Sequence, residues 1–307
     1  MKKYILIIFI SAAMPLFTQA CDICGCGIGN SYIGILPEFR KHIFGLRYRY
    51  NSMLTHVGVD GNFTYLTTKE AYNTVEAWSG WNITNKFRIM VSVPYSFNEK
   101  TNQGNTNNKN GIGDITLSGY YQLLNNRHTV LNSKLLVQSL WVGGGVKLAT
   151  GKYNPLDKSI GSSDANLFQL GTGSYDFNIS AMYDIRLQDM GINLSSNYKI
   201  TTANKYKYQY GNKFSINTQA YYKFRIKNKF TIAPNAGVQY ETAKHDLDSG
   251  FDVTVSGGNL LLGTAGIETT FGKCAIGANF QTPLSQNLAN GIVKAQDRVM
   301  LHVAFAL

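Results

Sequence analysis

The chain has 307 residues, a formal net charge of +11 and 44% hydrophobic residues, and 12% of its residues are aromatic. Its lysines and arginines are scattered, without a basic helix or a basic run, so the composition gives no support to nucleic-acid binding. Beyond the amino terminus no stretch approaches about 18 consecutive apolar residues, which excludes a protein that crosses a membrane with helices.

The amino terminus has the three parts of a secretory signal peptide. Lys2 and Lys3 supply positive charge, residues 4–17 are mostly apolar, and the Thr-Gln-Ala sequence at 18–20 has small residues where a signal peptidase reads. The apolar run is too short to span a bilayer. We therefore expect a cleavable signal peptide at residues 1–20.

A cysteine cluster with the spacing Cys-x-x-Cys-x-Cys begins the mature chain at Cys21, Cys24 and Cys26. Thiolates at this spacing suit Cu(I), which accepts two or three of them, whereas Zn(II) would require a fourth ligand. The nearest histidine in sequence is His42. These three cysteines are therefore a candidate metal site, with copper as the preferred ion.

Two other interpretations of the cysteine cluster stay open. The exported compartment is oxidising, so Cys21 and Cys24 could form a disulfide or carry out thiol chemistry. Cys21 directly follows the cleavage site and could be lipidated, although Thr18 stands where leucine is expected before a lipidated cysteine. Cys274 could approach the cluster from a neighbouring turn, but we interpret it as an ordinary wall residue.

The rest of the chain alternates between apolar and polar residues with a period of two. Residues 87–97, for example, place Phe, Ile, Val and Tyr on one face and mainly polar residues on the other. A tilted membrane-spanning strand requires about 10 residues of this kind. We predict twelve strands at 42–54, 71–83, 87–98, 113–124, 134–149, 169–187, 190–204, 212–226, 229–243, 258–271, 273–284 and 297–307.

The connections between these strands alternate in length. Those after strands two, six, eight and ten are short, the one at 125–133 is somewhat longer, and the others are mostly long and polar. Transmembrane barrels combine tight periplasmic turns with long outer loops. The pattern predicts an all-β fold, a transmembrane antiparallel up-and-down β-barrel at 41–307 that follows a cysteine-rich segment at 21–40. We expect it in the outer membrane of a Gram-negative bacterium, with a periplasmic amino terminus.

We assign the apolar face of each strand to lipid and the polar face to the lumen. Charges of both signs can line a conducting path or can form a network that closes the interior, and the sequence leaves both open. His302 also has lumen parity, but no chain of His or Met residues leads inward as a copper conduit would require. The candidate lumen-lining charges are Arg47, Arg49, Arg88, Lys147, Asp176, Asp184, Arg186, Lys199, Lys223, Arg225, Glu241 and Glu268, with Asp114 near a strand end.

Three glycine-rich phrases occur in a fixed order along the chain. They are Gly111-Ile-Gly-Asp114 with the following Ile-Thr-Leu, Gly143-Gly-Gly-Val-Lys-Leu-Ala-Thr-Gly151, and Gln169-Leu-Gly-Thr-Gly-Ser174. In this order they resemble the outer-membrane "transporter" family associated with meta-pathway phenol degradation, over residues 40–307. The resemblance implies a monomeric barrel that passes small hydrophobic or aromatic compounds. Outer-membrane barrels usually end in an aromatic residue, whereas this sequence has Leu307 at that position. The aromatic Phe305 lies two positions earlier on the same face.

We therefore predict a channel or transporter for small hydrophobic or aromatic solutes. Its expected partners are outer-membrane lipid, the solute and the barrel-assembly machinery. One alternative is a barrel-anchored protein that handles Cu(I) or Zn through the cysteine cluster, and another is a closed structural barrel. An enzyme is not expected, because the five histidines are dispersed and neither a nucleophile elbow nor a metalloprotease motif occurs.

Overall fold

The protein, described here by a computed structural model, is an antiparallel barrel of β-strands. The structure describes residues 42–58, 61–130, 133–157, 166–227 and 229–307. No helix in these ranges is long and apolar enough to cross a membrane. The strands within the described ranges are β1 (Ile43–Thr55), β2 (Thr68–Asn82), β3 (Phe87–Asn102), β4 (Asn105–Ile112), β5 (Thr116–Val130), β6 (Lys134–Lys147), β7 (Asp176–Leu187), β8 (Met190–Ile200), β9 (Tyr208–Gln209), β10 (Lys213–Tyr222), β11 (Phe224–Ile226), β12 (Phe230–Ala243), β13 (Asp246–Asp248), β14 (Phe251–Val253), β15 (Gly258–Phe271), β16 (Cys274–Leu288) and β17 (Lys294–Ala306).

Twelve of these strands form the wall and close on themselves. Their order around the barrel is β1, β2, β3, β5, β6, β7, β8, β10, β12, β15, β16 and β17, and β17 returns to β1. Strand β4 pairs with β3, β11 pairs with β12, and β9, β13 and β14 form a small separate sheet. The predicted all-β barrel of twelve strands is confirmed.

The two ends of the barrel differ. Tight turns join β2 to β3, β5 to β6, β7 to β8 and β15 to β16 at one end, where Ile43 and Ala306 also lie. We call this the short-turn end. The longer connections, including the one between β6 and β7, all lie at the opposite end, which we call the long-loop end. This separation agrees with the predicted alternation of short and long connections.

Two predicted connections contain more strand than expected. The predicted loop 99–112 is largely a hairpin, since β3 continues to Asn102 and pairs with β4. The predicted turn 125–133 is shortened because β5 continues to Val130. Residues 99–112 are rich in Asn and Lys on both faces of the hairpin, because water surrounds this hairpin on both sides. It therefore lacks the period of two on which the strand prediction depended.

Two predicted strands are shorter than expected at the long-loop end. The strand predicted at 169–187 begins only at Asp176, and the one predicted at 190–204 ends at Ile200. Residues 166–175, which we call the inward segment, include Leu167 and Phe168, and both of these side chains are buried. Leu167 and Phe168 belong to the connection predicted between the strands at 134–149 and 169–187, and they pack inside the barrel.

The predicted faces of the strands match the pattern of exposure. Phe44 and Leu46 on β1 are each 44% exposed, whereas the alternate Arg47 is 4% exposed. Aromatic pairs lie on the outer surface at the short-turn end, such as Phe230 with Phe271, whose ring centroids are 4.6 Å apart. An exposed apolar wall with aromatic residues near its edge is the surface that a bilayer requires.

Gly45 makes room inside the barrel for the indole of Trp78 on the adjacent strand. A Cβ at Gly45 would lie 2.6 Å from the Trp78 ring, well inside van der Waals contact. Gly119 provides a matched control, because a Cβ there would meet the Phe87 ring at an ordinary 3.4 Å.

We expect Gly45→Ala to destabilise the barrel by about 1–3 kcal/mol, the usual cost of overpacking. Gly119→Ala should change stability much less. The measurement is the temperature at which each purified barrel loses its compact, heat-modifiable migration in detergent gels. Equal midpoints for the two variants would contradict the close packing of Trp78 on Gly45.

Candidate functional site

A cluster of buried aromatic and apolar side chains occupies the lumen toward the short-turn end. We call it the aromatic cluster. Its side chains come from consecutive strands of the wall, in the order β16, β17, β1, β2, β3, β5, β6 and β7. The members are Ile43, Trp78, Met90, Tyr120, Trp141, Ala275 and Ala304, with Met182 packed against them.

A second apolar cluster lies at the long-loop end, and we call it the mouth cluster. It combines wall residues with two residues of the inward segment, Leu167 and Phe168. Phe168 meets Tyr72 edge-on, with ring centroids 6.3 Å apart. The wall residues are Met53, Tyr72, Ala243, Leu260, Leu262, Leu288 and Ala295, accompanied by Ala289 and Val293 of the adjoining turn.

The inward segment crosses the mouth of the barrel. It belongs to the connection between β6 and β7, the fifth and sixth strands around the wall. The Phe168 ring contacts Tyr72 on β2, and the other members of the mouth cluster lie largely on β15, β16, β17 and β1, on the opposite side of the wall. Leu167 and Phe168 therefore bridge the mouth and narrow it.

Asp114 fastens this connection to the wall. Its carboxylate accepts hydrogen bonds from the backbone amides of Gly151 and Thr172, each at 2.9 Å, and from the Lys147 ammonium at 2.5 Å. The backbones at Gly151 and Gly171 approach so closely that a Cβ at Gly151 would lie 2.7 Å from the Gly171 Cα. The three glycine-rich phrases of the sequence thus meet around one buried carboxylate.

The ion-pair network extends from Asp114 along the rim. Asp176 lies 3.1 Å from both Lys147 and Lys199, and it accepts a hydrogen bond from the Ser174 hydroxyl at 2.9 Å. All four charged side chains are nearly inaccessible to solvent. A buried network in which charges are paired and hydrogen-bonded is rigid, so it holds the start of β7 and the inward segment in place.

Further polar contacts hold the inward segment against the β6–β7 connection and the β3–β4 hairpin. The Gln169 side chain accepts from the Asn154 amide at 2.8 Å and donates to the Asn154 carbonyl at 2.9 Å. Lys109 on β4 donates to the Phe168 carbonyl and lies 4.9 Å from the centre of the Phe168 ring. The extended β3–β4 hairpin therefore supports the residues that cross the mouth.

Tyrosines join the neighbouring loops to the same segment. The Tyr210 hydroxyl donates to the Asn166 carbonyl at 2.8 Å, and the Tyr208 hydroxyl donates to Asp246 at 2.5 Å. Asn166 also donates to the Tyr153 hydroxyl at 3.1 Å. Burial raises the pKa of the Tyr153 hydroxyl above its ordinary value, so this group stays neutral at physiological pH.

A buried carboxylate on β2 is shared by two of the predicted lumen arginines. Glu76 lies 3.4 Å from Arg47 and 3.1 Å from Arg49, and it also accepts a hydrogen bond from Ser92. Glu76 is not among the predicted lumen residues, because Tyr72 and Trp78 on the lumen face of β2 hide the apolar–polar alternation. The pairing of β1 with β2 is the signal that would have identified Glu76, since Glu76 lies directly opposite Arg47 in the strand register.

A third group of charges spans part of the lumen. Glu241 on β12 accepts from Arg298 on β17 at 3.1 Å, and Lys213 on β10 lies 3.8 Å from the same carboxylate. Two strands separate β12 from β17 around the wall, so the Arg298 side chain reaches across the interior. Arg298 and Lys213 were not among the predicted lumen residues.

Other predicted charges gather at the short-turn end. The Tyr221 hydroxyl donates to both carboxylate oxygens of Asp184, at 3.0 and 2.9 Å. Arg186, Lys223 and Glu268 lie close enough to interact electrostatically with this group.

Two more predicted charges occupy different positions. Arg88 is buried, with its guanidinium 6.0 Å from the Trp141 ring centre. Arg225 differs from the expectation of a lumen position, since its side chain is 51% exposed and pairs with Asp189 at the barrel edge. A conducting role for the inner charges stays a prediction.

The cysteine cluster lies outside the described residues, and so does the predicted signal peptide. Within the described ranges no group of three or more His, Cys, Asp or Glu residues could hold a metal ion. Cys274 begins β16 on the same parity as the outward Ile276, which suits an ordinary wall residue.

If the cysteine cluster binds Cu(I), protein purified from membranes under reducing, copper-replete conditions should carry about one equivalent of copper. A variant with Cys21, Cys24 and Cys26 changed to Ser should carry none. Elemental analysis after dialysis measures the copper content of the parent and of the variant. Equal copper contents in the two proteins would contradict the metal hypothesis.

Three solved structures are similar to this chain, and the first of them shares its fold. An outer membrane channel from Pseudomonas putida F1 is similar with a TM-score of 0.61 and 12% identity, covering 92% of this chain and 100% of that one. The β domain of the Bordetella autotransporter Brka has a TM-score of 0.45 and 9% identity, covering 87% and 100%. The translocator domain of NalP from Neisseria meningitidis has a TM-score of 0.43 and 8% identity, covering 87% and 88%.

No curated protein matches the chain significantly. A family described as "Putative MetA-pathway of phenol degradation" matches residues 49–273, which is most of the barrel. The matched range contains all three glycine-rich phrases and the Asp114 carboxylate around which they meet. The chain therefore belongs to this phenol-degradation family, and its fold is that of outer-membrane β-barrels.

Proposed function

We propose that the protein is an outer-membrane channel for small hydrophobic or aromatic solutes. The observation that carries this proposal is the lumen itself, which has buried aromatic and apolar clusters at both ends and charged side chains between them. The family membership and the solved channel with the same fold support it.

The arrangement suits a solute with an apolar body. At the long-loop end such a solute would first meet Phe168 and Tyr72, which offer ring faces and edges. It would then pass the charged groups around Glu76 and Glu241 and reach the aromatic cluster. Several modest sites in series allow a solute to enter and also to leave, which conduction requires.

Passage would require the inward segment to move. The segment is held by contacts of two kinds, the apolar packing of Leu167 and Phe168 and the hydrogen bonds to Asp114. We infer that displacement of these two residues opens the mouth, while the Asp114 network keeps the rest of the connection attached. With the short-turn end in the periplasm, the mouth faces outward and meets solute first.

The test is osmotic swelling of liposomes that contain the purified barrel. Benzenesulfonate is a suitable solute, because it carries an aromatic ring and its charge keeps it from crossing lipid unaided. Swelling faster than in empty liposomes would support the channel. Swelling no faster than the control, with a correctly folded barrel, would favour a closed structural barrel instead.

We expect Phe168→Ala to increase the rate of swelling. The change removes a buried ring from the mouth cluster, where loss of a Phe side chain costs about 3–5 kcal/mol of packing free energy. The wall strands do not depend on this ring, so the barrel should remain folded. The swelling assay measures the effect directly.

The control is Leu156→Ala in the same connection, since Leu156 is 82% exposed. It should swell at the parental rate. A Phe168→Ala barrel that swells no faster than Leu156→Ala would show that Phe168 does not restrict the mouth.

A further inference from the structure

We propose that a strip of amide side chains in the lumen binds a small, neutral polyol. This inference goes beyond the proposed channel for aromatic solutes, because it assigns the same lumen a second class of ligand. The strip lies on four consecutive wall strands, β10, β12, β15 and β16, and we call it the amide strip. Its members are Asn217, Gln219, Asn235, Gln239, Thr264, Asn279 and Gln281.

Hydrogen bonds between strands join these side chains into one polar surface. The Thr264 hydroxyl accepts from the Gln219 amide at 3.0 Å and from the Asn279 amide at 3.5 Å. The Gln281 amide donates to the Gln239 side-chain oxygen at 3.0 Å. The strip is therefore a connected patch of neutral donors and acceptors.

Three oxygen atoms of the strip point to a missing donor. Among the described residues, the side-chain oxygens of Asn217, Gln219 and Asn235 have no hydrogen-bond partner, although these residues are at most 6% exposed. Buried polar atoms are almost always hydrogen-bonded, so three orphan acceptors in one strip require an explanation. A hydroxyl group both donates and accepts, so it can pair with either end of an amide. Several hydroxyl groups on one molecule would satisfy the strip.

The charge at the strip favours a neutral ligand. All of its side chains are uncharged. The carboxylate at its upper edge is Glu241, which accepts from Gln239, and this carboxylate also pairs with Arg298 and lies 3.8 Å from Lys213. The charges of both signs are thus gathered at the edge, and the strip itself offers only dipoles to a ligand.

Glycines on the lumen face leave the amides room to turn. Gly237 and Gly266 alternate with amide and hydroxyl residues on β12 and β15. A Cβ at Gly266 would lie 2.8 Å from both the Asn235 oxygen and the Asn279 nitrogen, so the two amides share the space above this glycine. Terminal amide torsions are broad, so these groups can turn toward a ligand hydroxyl without a backbone shift.

Xylitol is the probe, because it is small and neutral and carries a hydroxyl group on every carbon. The purified barrel in detergent is titrated with xylitol, and saturation-transfer NMR reports the bound fraction. We expect saturable binding. Glycine betaine is the comparison probe, since it has no net charge and dissolves equally well but lacks any hydrogen-bond donor. It should show no saturable binding at the same concentrations.

Asn217→Leu should weaken xylitol binding about threefold to tenfold, the loss expected for one hydrogen bond between neutral groups. Leucine has nearly the size of asparagine, and the change removes an unpaired buried oxygen. The barrel should therefore unfold at the same or a higher temperature, whereas a purely structural role for this amide predicts a lower one. Asn235→Leu should act in the same way and provides an independent variant.

Asn178→Leu is the control, because Asn178 lies on β7, outside the strip, and its amide already donates to the Ser180 hydroxyl at 3.3 Å. It should bind xylitol like the parent. A parent barrel without saturable xylitol binding, or Asn217→Leu and Asn235→Leu barrels that bind xylitol as tightly as the parent, would overturn the site. Xylitol binding does not depend on the passage of aromatic solutes, so swelling in benzenesulfonate tests the channel separately.

Discussion

Asp114→Asn is expected to raise the permeability of the barrel and to lower its stability. The carboxylate accepts from the Gly151 and Thr172 amides and from Lys147, and all of these contacts are buried. An Asn side chain replaces one acceptor oxygen with an NH₂ donor, which would face another donor. Each buried donor left unpaired costs about 1–3 kcal/mol. The connection that crosses the mouth should therefore detach more readily.

The measurement is single-channel conductance in planar bilayers, together with the unfolding temperature in detergent. Asp189→Asn is a matched control, because its ion pair with Arg225 is largely exposed and such pairs contribute only about 0–1 kcal/mol. It should change neither quantity appreciably. If Asp114→Asn also behaved like the parent, Asp114 would not be what fastens the inward segment.

Glu76→Gln is expected to be the most destabilising of the lumen charge changes. It removes the carboxylate that pairs with Arg47 and Arg49, both of which then lack that partner in the interior. Breaking a buried pair by removing one partner typically costs about 3–5 kcal/mol. Since net positive charge in the lumen would increase, the ratio of anion to cation permeability should also rise.

Unfolding temperature and reversal potential under a salt gradient measure the two effects. Glu99→Gln is the control, since Glu99 is an exposed residue on the extended part of β3. An unchanged reversal potential in Glu76→Gln would show that ions do not pass this carboxylate. An unchanged unfolding temperature would contradict the buried pairing.

The fold was predictable because the wall alternates between lipid and an interior of opposite polarity. Strands such as 87–97 place Phe and Val outward and Arg88 inward, and this contrast is visible directly in the sequence. The twelve strands and their alternating connections followed from that contrast. The β3–β4 hairpin was missed because both of its faces meet water, so it has no alternation to detect.

The interior was less predictable. Trp78, Tyr120 and Trp141 occupy lumen positions, where an analysis based on polarity expects polar residues. Phe168 lies in the connection predicted before the strand at 169–187, but it packs across the mouth. Whether these side chains are buried depends on which strands face each other across the barrel. Closure of the barrel decides this, and no local sequence pattern reports it.

The glycine-rich phrases illustrate the same difference. In the sequence they carry the resemblance to a family, but nothing there shows that they lie together in the fold. The structure gives them a common partner, since Gly151 and Thr172 come from separate phrases and both donate to Asp114 of the first. Residues separated by tens of positions meet there because the β6–β7 connection folds back onto the rim.

The most direct test of the account compares two solutes of equal charge and similar size in the liposome swelling assay. Benzenesulfonate and cyclohexanesulfonate differ mainly in whether the ring is aromatic. A lumen with aromatic clusters at both ends should admit benzenesulfonate faster, and Phe168→Ala should accelerate both. Equal rates for the two solutes in the parent barrel would contradict a channel that selects aromatic compounds.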